Sequence, residues 1–209
     1  MRLLVTGFPK FDAFAGNSTQ ALIESMVDDL PEGLADLRGR IAFEIVEFEN
    51  DDPATQQETM LESFRHVLDR QDPDACLFCG QAASRHRIEI ETIAINIFKS
   101  ELIDPEGPPA YWATLPKLKD LADAMRAVGI PAALSHHAGT HLCNHILYSA
   151  LRLAEGAEDG MRCGFLHFPM TDRQVIAADE NRPFVPLAMM REALTMAIRH
   201  VCTHLTAAS

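Results

Sequence analysis

Ala75-Cys76-Leu77-Phe78-Cys79-Gly80 is a short apolar run closed by a glycine. It is too brief for an ordinary helix and has no polar alternation, so it reads as a strand of the buried type. Upstream, Arg2 to Thr6 is a run of strand formers ending at Gly7, and Gln20 to Leu30 carries apolar residues at helical spacing until Pro31. Ile41 to Phe48 alternates apolar and acidic residues like a half-buried strand, and Pro53 opens a helix running to about Arg70. Downstream, Arg87 to Ile97 has period-two alternation, which puts Glu91 on a strand. Pro105 to Pro116 is a loop holding Tyr111 and Trp112, of a kind that often covers a site or a partner surface. A helix over Lys117 to Val128 stops at Gly129, and a short strand follows at Pro131 to Leu134. His141 to Ala154 is an amphipathic helix, Gly164 to Phe168 a strand, and Pro186 to Leu205 a long final helix. This alternation predicts a single domain over residues 1–209, a three-layer α/β/α fold around an open, mostly parallel twisted sheet.

The whole-chain numbers narrow the function. With 30 acidic against 18 basic residues the net charge is −12, and no Lys/Arg cluster interrupts it, so nucleic acid would be repelled. The apolar run at the N-terminus is far shorter than a signal sequence and no stretch approaches a membrane span, so a soluble, cytoplasmic protein without membrane partners is expected. Cys76, Cys79, Cys143, Cys163 and Cys202 are too few and odd in number for a disulfide framework, which fits a reducing compartment and leaves room for a reactive thiol. There is no Gly-x-Gly-x-x-Gly fingerprint and no phosphate-cradling loop.

Ala138-Gly139-Thr140-His141-Leu142-Cys143-Asn144-His145 places a cysteine at a helix start, just after a glycine that lets the backbone turn. Free amides there favour a thiolate. His167 ends a predicted strand and is a candidate base, since sites collect at the carboxyl ends of strands in open α/β sheets. Glu91 is the acidic residue that would orient the imidazole. Among nine histidines and many carboxylates, spacing alone singles out this set only weakly.

Four stretches add a resemblance. Leu4-Val5-Thr6-Gly7-Phe8 with Phe11 and Asn17, Gly80-Gln81-Ala82 through Arg85, Ile88, Glu91, Ala94 and Asn96, Ala138-Gly139-Thr140 through Cys143-Asn144-His145, and Gly164-Phe165-Leu166-His167 together resemble the pyroglutamyl-peptidase I (pyrrolidone-carboxylate peptidase) family in order and spacing. The resemblance implies a thiol protease that removes N-terminal pyroglutamate from peptides without metal or cofactor, as a homo-oligomer, commonly a tetramer. Carried over by position, it makes Cys143 the nucleophile, His167 the general base and acid, and Glu91 its holder. Phe8 and Phe11 would sandwich the lactam ring, Asn17 would stand near the pocket, and the backbones of Gln81 and Leu142 would pair with the lactam.

Asp12, Ala13, Glu89, Thr92, His137 and His141 depart from the family pattern around the site, and Ala83-Ser84 replaces its second glycine before Arg85. These changes admit a rival of another class, a lapsed or specificity-shifted member that binds N-blocked peptide ends. A metal site built from His136, His137, His141, Cys143 and His145 is a minor alternative, since His at i and i+4 share a helix face but Cys143 lies off it. Cys76-x-x-Cys79 invites a redox or zinc reading, yet residues three apart on a strand point to opposite faces, which favours packing. Met189, Met190 and Met196 on the final helix read as core rather than a subunit contact.

Overall fold

The buried run at Ala75 becomes β3 (Ala75–Gln81), with a parallel neighbour on each side. These neighbours are β1 (Leu3–Gly7) and β8 (Arg162–Phe168). The computed structural model describes residues 1–11, 16–49, 55–156, 160–179 and 181–206. Beyond β1, β2 (Ile41–Ile45) adds a parallel edge strand, half-buried along its length. On the far side, β4 (Ile88–Glu91) runs antiparallel to β8, and β7 (Ala132–Ser135) pairs parallel with β4. The order is β2-β1-β3-β8-β4-β7, and only the β8–β4 pairing is antiparallel.

Side chains alternate across each strand, and the two faces collect separate cores. Leu3, Val5, Leu77, Cys79, Leu166 and Phe168 pack with α1 (Ser18–Asp28), α3 (Leu118–Ala127) and α6 (Leu187–Thr206). Leu4, Cys76, Phe78, Cys163 and Phe165 pack with α2 (Gln56–Gln71) and α4 (Leu142–Ala154). This is the expected three-layer α/β/α arrangement. Cys76 and Cys79 fall on opposite faces, as their spacing requires, so they do not converge. Met190 is fully buried in the first core, with Met189 and Met196 packed against it.

Three expectations are corrected. The strand over Arg87 to Ile97 breaks at Thr92, whose N–H donates to Ser135 O on β7 while its carbonyl accepts from Ala113 N. The chain thereby leaves the main sheet, and β5 (Ile93–Ile95) pairs antiparallel with β6 (Ala110–Trp112) in a small second sheet. The Pro105 to Pro116 segment is thus partly strand, with the Tyr111 ring tilted against Tyr148 and Trp112 exposed. The strand at Ile41 ends at Ile45, short of Phe48. A 3-10 helix (Glu32–Leu37) and α5 (Asp172–Ala178) had no periodic signal, being short. The Pro53 helix start and the departures at Asp12 and Ala13 lie outside the described residues.

Candidate active site

The pleat decides which side chains meet. On β8, Cys163 and Phe165 face the α4 layer, so His167 faces it too. On β4, Ile88 and Ile90 face the opposite layer, which turns Glu89 and Glu91 toward α4. Glu91 lies opposite Phe165 in the antiparallel pair and therefore diagonal to His167, within reach of a long side chain. His167 Nδ1 and Glu91 Oε1 are 2.7 Å apart, and both side chains are buried. A carboxylate only accepts, so Nδ1 carries the proton and Nε2 keeps its lone pair.

Cys143 enters from the helix. Gly139 adopts the left-handed φ of +85°, the chain turns, and α4 begins with Cys143 in its first turn. Its sulfur rests on β3: a Cβ built on Gly80 would lie 2.8 Å from Cys143 Sγ and 2.6 Å from the Phe165 ring. Gly80 is therefore a glycine because the sulfur needs its space. Gly80→Ala should displace the thiol and lower kcat/KM by about 10²-fold, the usual cost of misplacing a reacting group by about 1 Å. Steady-state kinetics checks this, and a rate within a factor of about 2 of wild type would contradict the packing argument.

Cys143 and His167 open onto one cavity of about 630 Å³, with Phe8, Phe11, Phe48, Gln81, Arg85 and Leu142 also in its wall. Phe8 is both buried and a wall residue, its ring edge-on to Phe48 at 6.2 Å, so packing and pocket readings hold together. Asn17 is not in the wall. Its carbonyl oxygen caps α1 by accepting from Thr19 N at 2.8 Å, and its amide donates to Pro9 O at 3.0 Å, which shapes the loop carrying Phe8 and Phe11. The Pro105 to Pro116 segment contributes no wall residue among those described.

Burial and the helix start act on the thiol in opposite senses. Burial pushes the Cys143 thiol up to about 12, and the Glu91 charge adds to the rise, against the lowering pull of Arg85 and the helix backbone. Burial holds the His167 imidazole below its ordinary value, against the opposing pull of Glu91. Glu91 is also opposed by burial, but its bond to His167 and the Arg85 charge outweigh that and keep it ionised.

Two participants had no role in the sequence reading. Arg85 donates from Nη1 to Glu91 Oε1 at 2.6 Å and from Nη2 to His137 O at 2.9 Å, and it also pairs with Glu89. Gln174, in the first turn of α5, donates to Gln81 Oε1 at 2.9 Å and to Gly16 O at 2.8 Å, and it closes a capping box with Thr171. It ties the opening loop to the end of β3. A Thr followed three residues later by Gln is the capping-box pattern, the one local signal that marked this helix.

The departing positions have partners of their own. Glu89 pairs with Arg85 and Arg87, and Thr92 Oγ1 donates to Ser135 O at 2.9 Å. His137 Nδ1 accepts from Gly139 N at 2.9 Å, and the His141 ring lies 5.4 Å from Phe98. His136 contacts the Thr92 hydroxyl, and His145 packs on Phe98. Of the histidines in the metal alternative, His141 and His145 both pack on Phe98 while His136 and His137 bond elsewhere, and among the described residues no group of three or more His, Cys, Asp or Glu is placed to hold a metal ion. No helix among them is long and apolar enough to cross a membrane.

Comparison with known proteins agrees with this architecture. A family model described as pyroglutamyl peptidase matches residues 1–204. The chain is 33% identical to a pyrrolidone-carboxylate peptidase of Thermococcus kodakarensis over 99% of its own length and 98% of the relative's. It is 32% identical to pyrrolidone-carboxylate peptidase 1 of Caldanaerobacter subterraneus subsp. tengcongensis, covering 95% and 97%. Among solved structures, a mutant pyrrolidone carboxyl peptidase from Pyrococcus furiosus superposes with a TM-score of 0.83 at 26% identity, over 98% of this chain and 100% of that one. Pyroglutamyl peptidase I from Bacillus amyloliquefaciens gives 0.80 at 28% identity, over 96% and 94%. By full-length match and by fold, the chain belongs to the pyroglutamyl peptidase family of hydrolases.

Proposed function

We propose that this protein releases N-terminal pyroglutamate from peptides through a thioester on Cys143. The observation that carries the reading is the buried Glu91–His167 hydrogen bond of 2.7 Å opening onto the same cavity as the Cys143 thiol. His167 Nε2 takes the thiol proton as Sγ attacks the pyroglutamyl carbonyl carbon, and Glu91 balances the imidazolium that forms. The imidazolium then protonates the leaving amine as its C–N bond breaks. Water, deprotonated by the same imidazole, cleaves the thioester and returns the thiol. The aromatic side chains of Phe8 and Phe11 supply apolar walls for a flat, uncharged lactam. Pairing of β3 with β1 stops at Phe78, so β3 runs on past its neighbour and leaves the Gln81 backbone open on that side to meet the lactam amide. Leu142, beside the nucleophile in the wall, is the second backbone contact. No described residue of the cavity wall is acidic, so an ordinary charged N-terminus would find no counter-charge among them.

The test is release of a fluorogenic amine from a pyroglutamyl amide under reducing conditions, with a prolyl amide and a chelator as controls. The reading expects hydrolysis of the pyroglutamyl amide alone, undiminished by the chelator. A folded protein that binds the pyroglutamyl amide without cleaving it would sink the reading and favour a lapsed binder.

The pH dependence follows from the resting charges. His167 must be neutral to act as base, and its pKa is depressed, so activity persists as pH falls through the ordinary imidazole value of 6.5 and is lost only below it. The thiol, raised to about 12, stays protonated at neutral pH. Alkylation of Cys143 by iodoacetamide should therefore keep accelerating from pH 6 to pH 10, about tenfold per unit, as the thiolate fraction grows. A rate plateau below pH 7 would instead reveal a resting thiolate–imidazolium pair.

A further inference from the structure

Glu91 Oε1 receives two donors, His167 Nδ1 at 2.7 Å and Arg85 Nη1 at 2.6 Å, whereas Glu91 Oε2 has no partner among the described residues. Base and cation therefore compete for one oxygen. The Arg85 side chain is about one-fifth exposed and lies in the cavity wall, anchored from behind by the His137 carbonyl and to one side by Glu89. Glu89 is the strand partner of His167, so without Arg85 two carboxylates, Glu89 and Glu91, would face one imidazole with only Arg87, held at Glu89, to offset them. From the neighbouring elements, β8 contributes no other charged side chain on this face, and α4 contributes the thiol of Cys143. Arg85 sits on the loop between β3 and β4, whose other cation, Arg87, is drawn to Glu89.

We propose that Arg85 is a positioning residue for the catalytic base: by sharing Glu91 Oε1 with His167 it fixes the carboxylate and limits how strongly Glu91 holds the imidazole proton, which keeps the base neutral at working pH. A guanidinium suits the task because its fork reaches two oxygens on different elements at once, Glu91 and the His137 carbonyl, while remaining charged. The proposal rests on the peptidase reading of the site, and its consequence is a shift in proton affinity rather than a simple loss of rate.

Arg85→Gln removes the charge and leaves a shorter neutral donor, and Arg85→Lys keeps the charge. In Arg85→Gln the acid limb of kcat/KM should move to higher pH by about one unit, the order expected when a nearby opposite charge is no longer offset. Arg85→Lys should return most of that shift. Titration of His167 by NMR in a Cys143→Ala background, with and without Arg85→Gln, reads the same displacement in the absence of turnover. An Arg85 that merely holds the loop would lower kcat at every pH and leave both the limb and the NMR titration in place, which would overturn the proposal. Failure of the wild-type enzyme to hydrolyse pyroglutamyl amides would count against the peptidase reading, and the NMR comparison would still decide whether Arg85 sets the imidazole.

Discussion

Cys143→Ala is expected to lower kcat/KM toward pyroglutamyl amides by about 10⁶-fold, the scale seen when the nucleophile of a concerted catalytic set is deleted. Removing Sγ leaves His167 and Glu91 with their bond and the cavity with its aromatic walls. Substrate should therefore still bind, and the variant should unfold at nearly the wild-type denaturant midpoint, because Cys143 is only partly buried and its sulfur rests on a glycine. Loss of turnover with binding retained is the signature, measured by single-turnover kinetics beside equilibrium binding. More than one-hundredth of wild-type activity in purified Cys143→Ala would move the chemistry to another group.

The next largest effect is expected at Glu91. Glu91→Gln is nearly isosteric, but it removes the charge that supports the imidazolium, and its amide hydrogens can meet His167 Nδ1. The imidazole would then carry its proton on Nε2, facing the thiol, where it cannot act as base. A loss of about 10⁴-fold in kcat follows from the corresponding substitution in a catalytic triad. The variant also removes one of the two acidic partners of Arg85, which keeps Glu89 and the His137 carbonyl, so the cost in stability should be small beside the loss of rate. Denaturant unfolding run beside the kinetics separates the two consequences. A folded Glu91→Gln enzyme within about tenfold of wild type would mean that Glu91 serves stability alone.

Much of this site was legible in the chain because each piece is local. The buried run at Ala75 sets the centre of the sheet, Gly139 and the amphipathic pattern after it start α4 beside Cys143, and alternation puts Glu91 on a strand. What local pattern does not carry is pairing. Nothing in Arg87 to Ile97 announces that Thr92 hands the chain from one sheet to another, or that β4 runs against β8, yet that antiparallel register sets Glu91 diagonal to His167. Arg85 stands in the matched stretch, but its role is hidden for the same reason: its partners Glu89 and Glu91 are near in sequence, while His137 is 52 residues away. The helix-terminus argument counts amides and leaves out desolvation, which raises the Cys143 thiol and depends on the packing around its sulfur, a property of the fold rather than of the local sequence. The departures at Glu89, Thr92, His137 and His141 read as losses one at a time; in the fold each has found a partner, and the Glu91–His167 bond they surround is intact.

The most direct test of the account is to mix the enzyme with a pyroglutamyl ester, quench in acid within the first turnovers, and map the adduct by peptide mass spectrometry. The account predicts one pyroglutamyl group on the peptide containing Cys143, absent when that residue is alanine. Turnover of the ester with no adduct on Cys143, or with the acyl group on another side chain, would contradict it.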